Sequence, residues 1–216
     1  MSWDTNLAVT TRPSGIEVVA WSPCDTFIAI TCDSAMTVEV LDSVTLHRRR
    51  TLEFPQDQGI STERRAFAFS PDSRTLTCFG EGSSDRIPFI ISWDLQTGAP
   101  RVTKWQGPTQ VIMGSPSITY SANGKMAGVL CRCSPDGDTI LIFDVASNAH
   151  VCSHSPTGVV MYSNGIWAHG ESLRYATIDA KTITIREVGF TSNATPTTKT
   201  LPAPETLPAP EEWPRD

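Results

Sequence analysis

Along the chain, apolar positions fall in short alternating runs separated by turn-forming residues, and no helical period fits them. The clearest stretch spans residues 66–98. Ala66-Phe-Ala-Phe69 precedes the turn Ser70-Pro71-Asp72-Ser73, Leu76–Phe79 follows it, and Phe89-Ile-Ile-Ser-Trp93 closes on Asp94 before Thr97-Gly98. Ser-Pro-Asp suits a type I turn, because Pro71 presets the backbone angle at the second position and Asp72 can bond locally. Three antiparallel strands in a meander are the expected product.

The unit recurs. Innermost strands are predicted at Val18–Trp21, Ala66–Phe69, Ser117–Tyr120 and Gly165–Ala168. Second strands are expected at Phe27–Cys32, Leu76–Phe79, Met126–Cys131 and Leu173–Ile178, and third strands at Thr37–Leu41, Phe89–Trp93, Thr139–Phe143 and Thr182–Arg186. Outer strands are expected near Thr45–Phe54, Pro100–Trp105, His150–Ser153 and Thr197–Leu201. The turns after the innermost strands start at Ser22, Ser70, Ser121 and His169, which are 48, 51 and 48 residues apart. That period, with four short strands per unit, predicts an all-β fold: a β-propeller of four-stranded antiparallel blades. Trp3-Asp4 and Asn6–Thr10 read as the end of a preceding blade. The expectation is therefore about four blades plus a partial one, belonging to a larger propeller; a small ring closed by that stub is the alternative.

Residues 1–190 form the expected propeller segment. From 191 to 216 the chain is rich in Thr and Pro, and Leu201-Pro-Ala-Pro-Glu205 is repeated at Leu207–Glu211. Such a tail favours extended, unpacked chain, and a disordered C-terminus is expected.

Composition narrows the functional classes. A net charge of −6 argues against a phosphate-binding surface, which needs clustered Lys and Arg. Arg48-Arg49-Arg50 and Glu63-Arg64-Arg65 read as solvated faces, and charge on an outer strand discourages edge pairing. The first residues carry no basic and apolar leader pattern, and no apolar run reaches the roughly 20 residues of a membrane helix. A cytoplasmic protein is expected, with its six cysteines reduced.

Trp93-Asp94 before Thr97-Gly98, after Phe69-Ser-Pro-Asp72, resembles a WD40 repeat, with Phe143-Asp144 and Arg186-Glu187 as weaker copies. The resemblance covers about residues 3–188 and implies a propeller that serves as a platform for protein partners. The Gly-His pair of the family is absent, so its Asp–His–Ser/Thr–Trp network cannot form as a set, and Trp93 is expected to be held mainly by packing. The degenerate repeats with a Pro-rich C-terminus are also similar to the propeller part of fungal NACHT–WD40 proteins. No Gly-x-x-x-x-Gly-Lys-[Ser/Thr] nucleotide loop is present.

Candidate chemistry is sparse. Cys131-x-Cys133 with Cys152-x-His154 has metal-ligand residue types, but zinc pairs are usually two to four residues apart, and strand alternation explains the spacing as well. There is no Gly-x-Ser-x-Gly elbow, so catalysis and a cofactor are not expected. Asn193-Ala-Thr195 matches the glycosylation sequon but needs a secretory route. Loop length is the better pointer. From turn start to closing acid the repeats span 20, 24, 23 and 18 residues, which assigns long second-to-third-strand loops to 80–86 and 131–138. With the long entering loops 55–65 and 107–116 they predict a protein-binding face, carried by Asp85, Arg86, Arg132 and Asp136. The expected function is a non-enzymatic interaction or sensing module with protein partners and without nucleic acid, membrane or small-molecule substrate. The alternatives are a translation-initiation type propeller associated with RNA or ribosomes, and a propeller accompanying a hydrolase domain.

Overall fold

A computed structural model describes residues 15–32, 36–55, 65–82, 87–104, 110–111, 116–134, 137–155, 159–160, 166–178, 182–190 and 197–202. All regular structure among them is β. The first blade is β1 (Ile16–Trp21), β2 (Phe27–Cys32), β3 (Thr37–Asp42) and β4 (Arg48–Glu53), and the second is β5 (Ala66–Phe69), β6 (Thr75–Glu81), β7 (Pro88–Asp94) and β8 (Pro100–Lys104). In the third, β9 (Gln110–Val111) and β10 (Ser117–Tyr120) lie beside β11 (Met126–Ser134), followed by β12 (Gly137–Asp144) and β13 (His150–His154). In the fourth, β14 (Val159–Val160) and β15 (Ile166–His169) flank β16 (Ser172–Ile178), followed by β17 (Thr182–Gly189) and β18 (Thr197–Pro202). Each sheet is an antiparallel meander, and the inner strands pack in sequence, β1 on β5, β5 on β10 and β10 on β15. The four sheets thus form an arc of propeller blades, as the repeat period predicts. Strand β18 pairs with β17 from Thr197 to Pro202, which places the expected outer strand in the fourth sheet, beyond residue 190. Residues 203–216 and the stub at 3–10 lie outside the described residues.

The turns explain why serine recurs. In the first three blades the turn serine donates its N–H to the carbonyl five residues on, and its hydroxyl oxygen accepts the N–H of that same residue. The pairs are Ser22 with Phe27 at 3.0 and 2.9 Å, Ser70 with Thr75 at 2.8 and 2.9 Å, and Ser121 with Met126 at 2.9 and 3.1 Å. The residue three on bonds back to the serine carbonyl and takes a left-handed backbone (Asp25, Ser73, Gly124), so each turn is type I followed by an αL residue. At the opposite turn of the same three blades the closing acid caps the chain. Asp42 Oδ1 accepts from Thr45 N at 2.8 Å, Asp94 Oδ1 from Thr97 N at 2.7 Å and Asp144 Oδ1 from Ser147 N at 2.8 Å. The hydroxyls of Thr45, Thr97 and Ser147 donate to the same oxygens.

These bonds hold all three carboxyls below the ordinary carboxylate range, through the Thr45 N–H for Asp42, the Thr97 N–H for Asp94 and the Ser147 hydroxyl for Asp144. A depressed folded-state pKa stabilises the fold above the unfolded value, and that stabilisation disappears as pH falls through the folded one. Urea midpoints are expected to stay level above about pH 5 and to decline below about pH 4. Asp94→Asn should make that decline shallower, and an unchanged slope would refute the assignment.

Three apolar clusters fill the spaces between consecutive blades, joined by residues such as Val40 and Leu76, Phe79 and Val129, and Ile142 and Leu173. Trp93 is fully buried at the first interface. Its ring meets Phe54 edge-to-face at 5.1 Å, and its indole Nε1 donates to the Glu53 carbonyl at 3.1 Å. Packing therefore holds it, as expected, together with a backbone acceptor from the preceding blade. At the second interface the Thr77 hydroxyl bonds both Ser92 and the Tyr120 phenol, and burial pushes that phenol up to about 12.

The outer-strand arginines Arg48, Arg49 and Arg101 are exposed, and they are also paired. Arg48 reaches Glu39 at 3.2 Å, Arg49 reaches Asp42 at 2.8 Å and Arg50 donates to the Gln96 carbonyl of the next blade at 2.8 Å. Arg101 occupies the register position of Arg50 in the second blade and donates to the carbonyls of Val145 and Ala146 in the third. Asn148, buried and left-handed, accepts from Arg101 and donates to Thr103 Oγ1 at 3.1 Å. Because Arg101 itself is exposed, Arg101→Met is expected to cost about 1 kcal/mol, less than the roughly 1.5–3 kcal/mol of charge-assisted bonds. The check is a lower urea midpoint at unchanged m-value.

Candidate interaction surface

The segment 131–138, expected to be a long loop, is mostly strand, and the loop expected at 80–86 loses its first two residues to strand. Strand β6 continues through Gly80 and Glu81, Gly82 N donates to the Ile87 carbonyl at 3.0 Å, and only residues 83–86 separate the arms. Strands β11 and β12 remain paired to Cys133 and Gly137, leaving 135–136 between described residues. The reason is burial. Alternate residues keep facing neighbouring blades, and Phe79, Gly80, Glu81 and Phe89 are all buried. In the third blade the surplus residues thus lengthen the arms, and in the second they are shared between the arms and the connection 82–87.

Of the four residues predicted to recognise a partner, Asp85, Arg86 and Asp136 lie outside the described residues. Arg132 is described in its backbone alone, paired with Asp138 near the end of the β11–β12 ladder. One element of the expected face is explicit. The short strand β9, from the entering loop of the third blade, pairs with the hairpin tip, Val111 opposite Cys133 and Gln110 opposite Ser134. Entering loop and hairpin therefore meet at one end of the blade. Strand β14 does the same in the fourth blade, with Val159 opposite Ile178. Two-residue strands leave almost no periodic trace, and neither was foreseen; the apolar pairs Val111-Ile112 and Val159-Val160 inside polar loops are the only hint.

Arg65, read from the sequence as solvated, is buried at the start of the second blade with its guanidinium 4.6 Å from the centroid of the Phe54 ring. A cation over an aromatic face tolerates burial that water would otherwise oppose.

At the rim, a cleft of about 440 Å³ opens between β8 and the turn of the third blade, lined by Thr103, Lys104, Ser147, Asn148, Ala149 and His150. The sequence offered no signal for it.

The cysteine group is divided by the sheet. Cys131 is buried on β11 and Cys152 lies on β13, with β12 between them, and the Cys133 side chain is outside the described residues. Cys152 Sγ and His154 Nε2 are 3.7 Å apart; burial raises the thiol pKa and lowers the imidazole pKa, so both favour their neutral forms. Among the described residues no three His, Cys, Asp or Glu side chains converge on a possible metal position. Exposed Cys24 differs: hydrogen bonds, first from Ser22 and then Ser73, draw its thiol down to about 6.

No protein-family model matches the chain, and no curated protein matches it. Solved structures do. Hydrazine synthase of Kuenenia stuttgartiensis superposes with a TM-score of 0.56 at 18% identity, covering 93% of this chain and 53% of that one. The β-propeller domain of the Trilobed protease from Pyrococcus furiosus gives 0.54 at 14% identity, covering 86% and 57%. A chain of the Mitotic Checkpoint Complex gives 0.55 at 13%, covering 88% and 55%. The chain spans about half the length of these structures. At such identities the likeness carries the fold alone, and the fold is that of a β-propeller built from four-stranded antiparallel blades.

Proposed function

We propose that this chain is a WD40-like protein-interaction scaffold or sensing module of the cytoplasm, and that it takes its partner on the face where the hairpin tips and entering loops of the blades adjoin. The observation that supports this reading is the pairing of β9 with the tip of the β11–β12 hairpin. It puts an entering-loop segment and a hairpin tip side by side on paired strands, the arrangement in which loops of a fixed scaffold recognise partners. The acidic net charge favours a protein over a nucleic acid. Within this reading the chain is similar to the propeller part of fungal NACHT–WD40 proteins, and a nucleotide-binding domain would lie outside it. Alanine at Asp85, Arg86, Arg132 and Asp136 together is expected to abolish capture of native partners while the melting temperature stays unchanged. Capture of every partner at the wild-type level would sink the proposal.

A second reading has support from similarity to an acylaminoacyl peptidase, with a TM-score of 0.58 at 12% identity over 86% of this chain, and to the Trilobed protease propeller. Here the propeller accompanies a hydrolase domain outside this chain. A full-length gene product without such a domain would eliminate it.

A further inference from the structure

Residues of the same register carry different chemistry at the first and second blade junctions. Strand β4 places Arg50 and Leu52 opposite Val40 and Val38, and β8 places Arg101 and Thr103 opposite Ser92 and Ile90. Both arginines donate to carbonyls in the turn of the following blade, Arg50 to Gln96 and Arg101 to Val145 and Ala146. Leu52, 1% exposed, belongs to the apolar cluster that closes the first junction. Thr103 stands in its place at the second, and there the cleft of about 440 Å³ opens.

The turn residue changes with it. In the second blade this position is Gly98, left-handed, where a Cβ would stand 2.9 Å from Arg50 Nη1. In the third blade it is Asn148, also left-handed and 3% exposed. The Asn148 amide is used at both ends: Oδ1 accepts from Arg101 Nη2 at 3.3 Å, and Nδ2 donates to Thr103 Oγ1 at 3.1 Å. A hydroxyl that accepts in this way keeps its own proton for another acceptor. The remaining lining is Lys104, Ser147, Ala149 and His150, so the cleft holds two basic side chains and no acidic one in a chain of net charge −6. Asp144, the carboxylate of the turn, is already satisfied by the Ser147 N–H and hydroxyl.

The geometry points to a site for a phosphate monoester in this cleft. The Thr103 hydroxyl, the Lys104 ammonium and the His150 ring supply donors, Arg101 adds its charge from behind Asn148, and the carrier of the phosphate occupies the remaining volume. Three donors match the three terminal oxygens of a monoester, whereas a carboxylate presents two. A lone phosphate would fill little of the cleft, whose volume lies in the range of small-molecule sites. The acidity of the rest of the chain opposes a polyanion such as nucleic acid but not a single anionic group. A small sugar phosphate and a phosphorylated side chain of a protein present the same chemistry. The site shares no residue with the face proposed above, so either can fail without the other.

Amide shifts of the isotope-labelled 216-residue chain test this. Glucose 6-phosphate, a short phosphoserine peptide, inorganic phosphate and the matching aspartate peptide are titrated separately. Both esters are expected to shift Thr103, Lys104 and Ser147–His150 saturably, and inorganic phosphate and the aspartate peptide are expected to bind more weakly. The tighter ester names the source, a free sugar phosphate or a modified protein. Lys104→Met should weaken the esters at least about tenfold, as the loss of a charge-assisted bond does. Arg48→Met removes the same charge from the first blade and should leave binding unchanged. No saturable shift at these residues up to about 10 mM overturns the inference, as does an equal loss in Arg48→Met. An aspartate peptide or inorganic phosphate that binds as tightly as the esters overturns it as well.

Discussion

Trp93→Ala is expected to destabilise the fold by about 3–5 kcal/mol, the range for removing a fully buried large aromatic. That is a large share of the 5–15 kcal/mol typical of a whole domain. The size of the effect follows from position. Trp93 lies in the cluster that joins the first two blades, in edge contact with Phe54, which itself packs edge-on against Phe67 at 6.4 Å and beneath Arg65. Removing the indole opens a cavity that two rigid sheets cannot collapse to fill. Trp93→Phe separates the two contributions. It keeps most of the ring but leaves the Glu53 carbonyl without its 3.1 Å donor, so a cost of about 1 kcal/mol is expected on top of lost contact area. Equilibrium urea unfolding measures both. A phenylalanine variant as unstable as the alanine variant would show that the hydrogen bond, and not packing, holds this residue.

The same tryptophan shows what the sequence makes legible. Trp93-Asp94, the turn serines and the closing acids could be placed because each does a local job that only a few residue types can do. A serine that both donates and accepts across five residues, or an aspartate that caps the next three, leaves a fixed spacing in the chain. What it does not show is contact at a distance. Arg65 looks like solvated charge until Phe54, eleven residues earlier, is found against it, and Arg50 and Arg101 show their partners only once consecutive blades are side by side. Leu46 is left-handed at the position where Gly98 advertises the same turn, so the repeat is hidden there by an unsuitable residue. For the candidate face the position of the hairpins was legible, because the surplus residues fall between the second and third strands. Their nature was not, because Gly80-Glu81-Gly82 has the composition of a loop while two of its residues are strand.

Gly80 supplies the second large effect. It lies opposite Phe89 in the β6–β7 ladder, and a Cβ added there would stand 2.3 Å from Phe89 Cζ and 2.9 Å from Cε2. Glycine is present because the phenylalanine ring lies across the strand, not because the chain turns. The ring is buried against the first blade, so moving it aside disturbs the packing there. Gly80→Ala should therefore cost about 1–3 kcal/mol through overpacking, despite replacing a flexible residue with one better suited to a strand. In a loop the same change would be neutral or slightly stabilising. Phe89→Leu shortens the opposing side chain and alone should destabilise by about 1 kcal/mol through lost burial. Combined with Gly80→Ala it should recover most of the alanine penalty, giving a favourable coupling between the two sites in a double-mutant cycle. Additive losses would mean that the two side chains do not compete for one space. A stabilised single alanine variant would return residues 80–86 to the status of a loop, and with it the face proposed for the partner would lose the rigid arm that holds it.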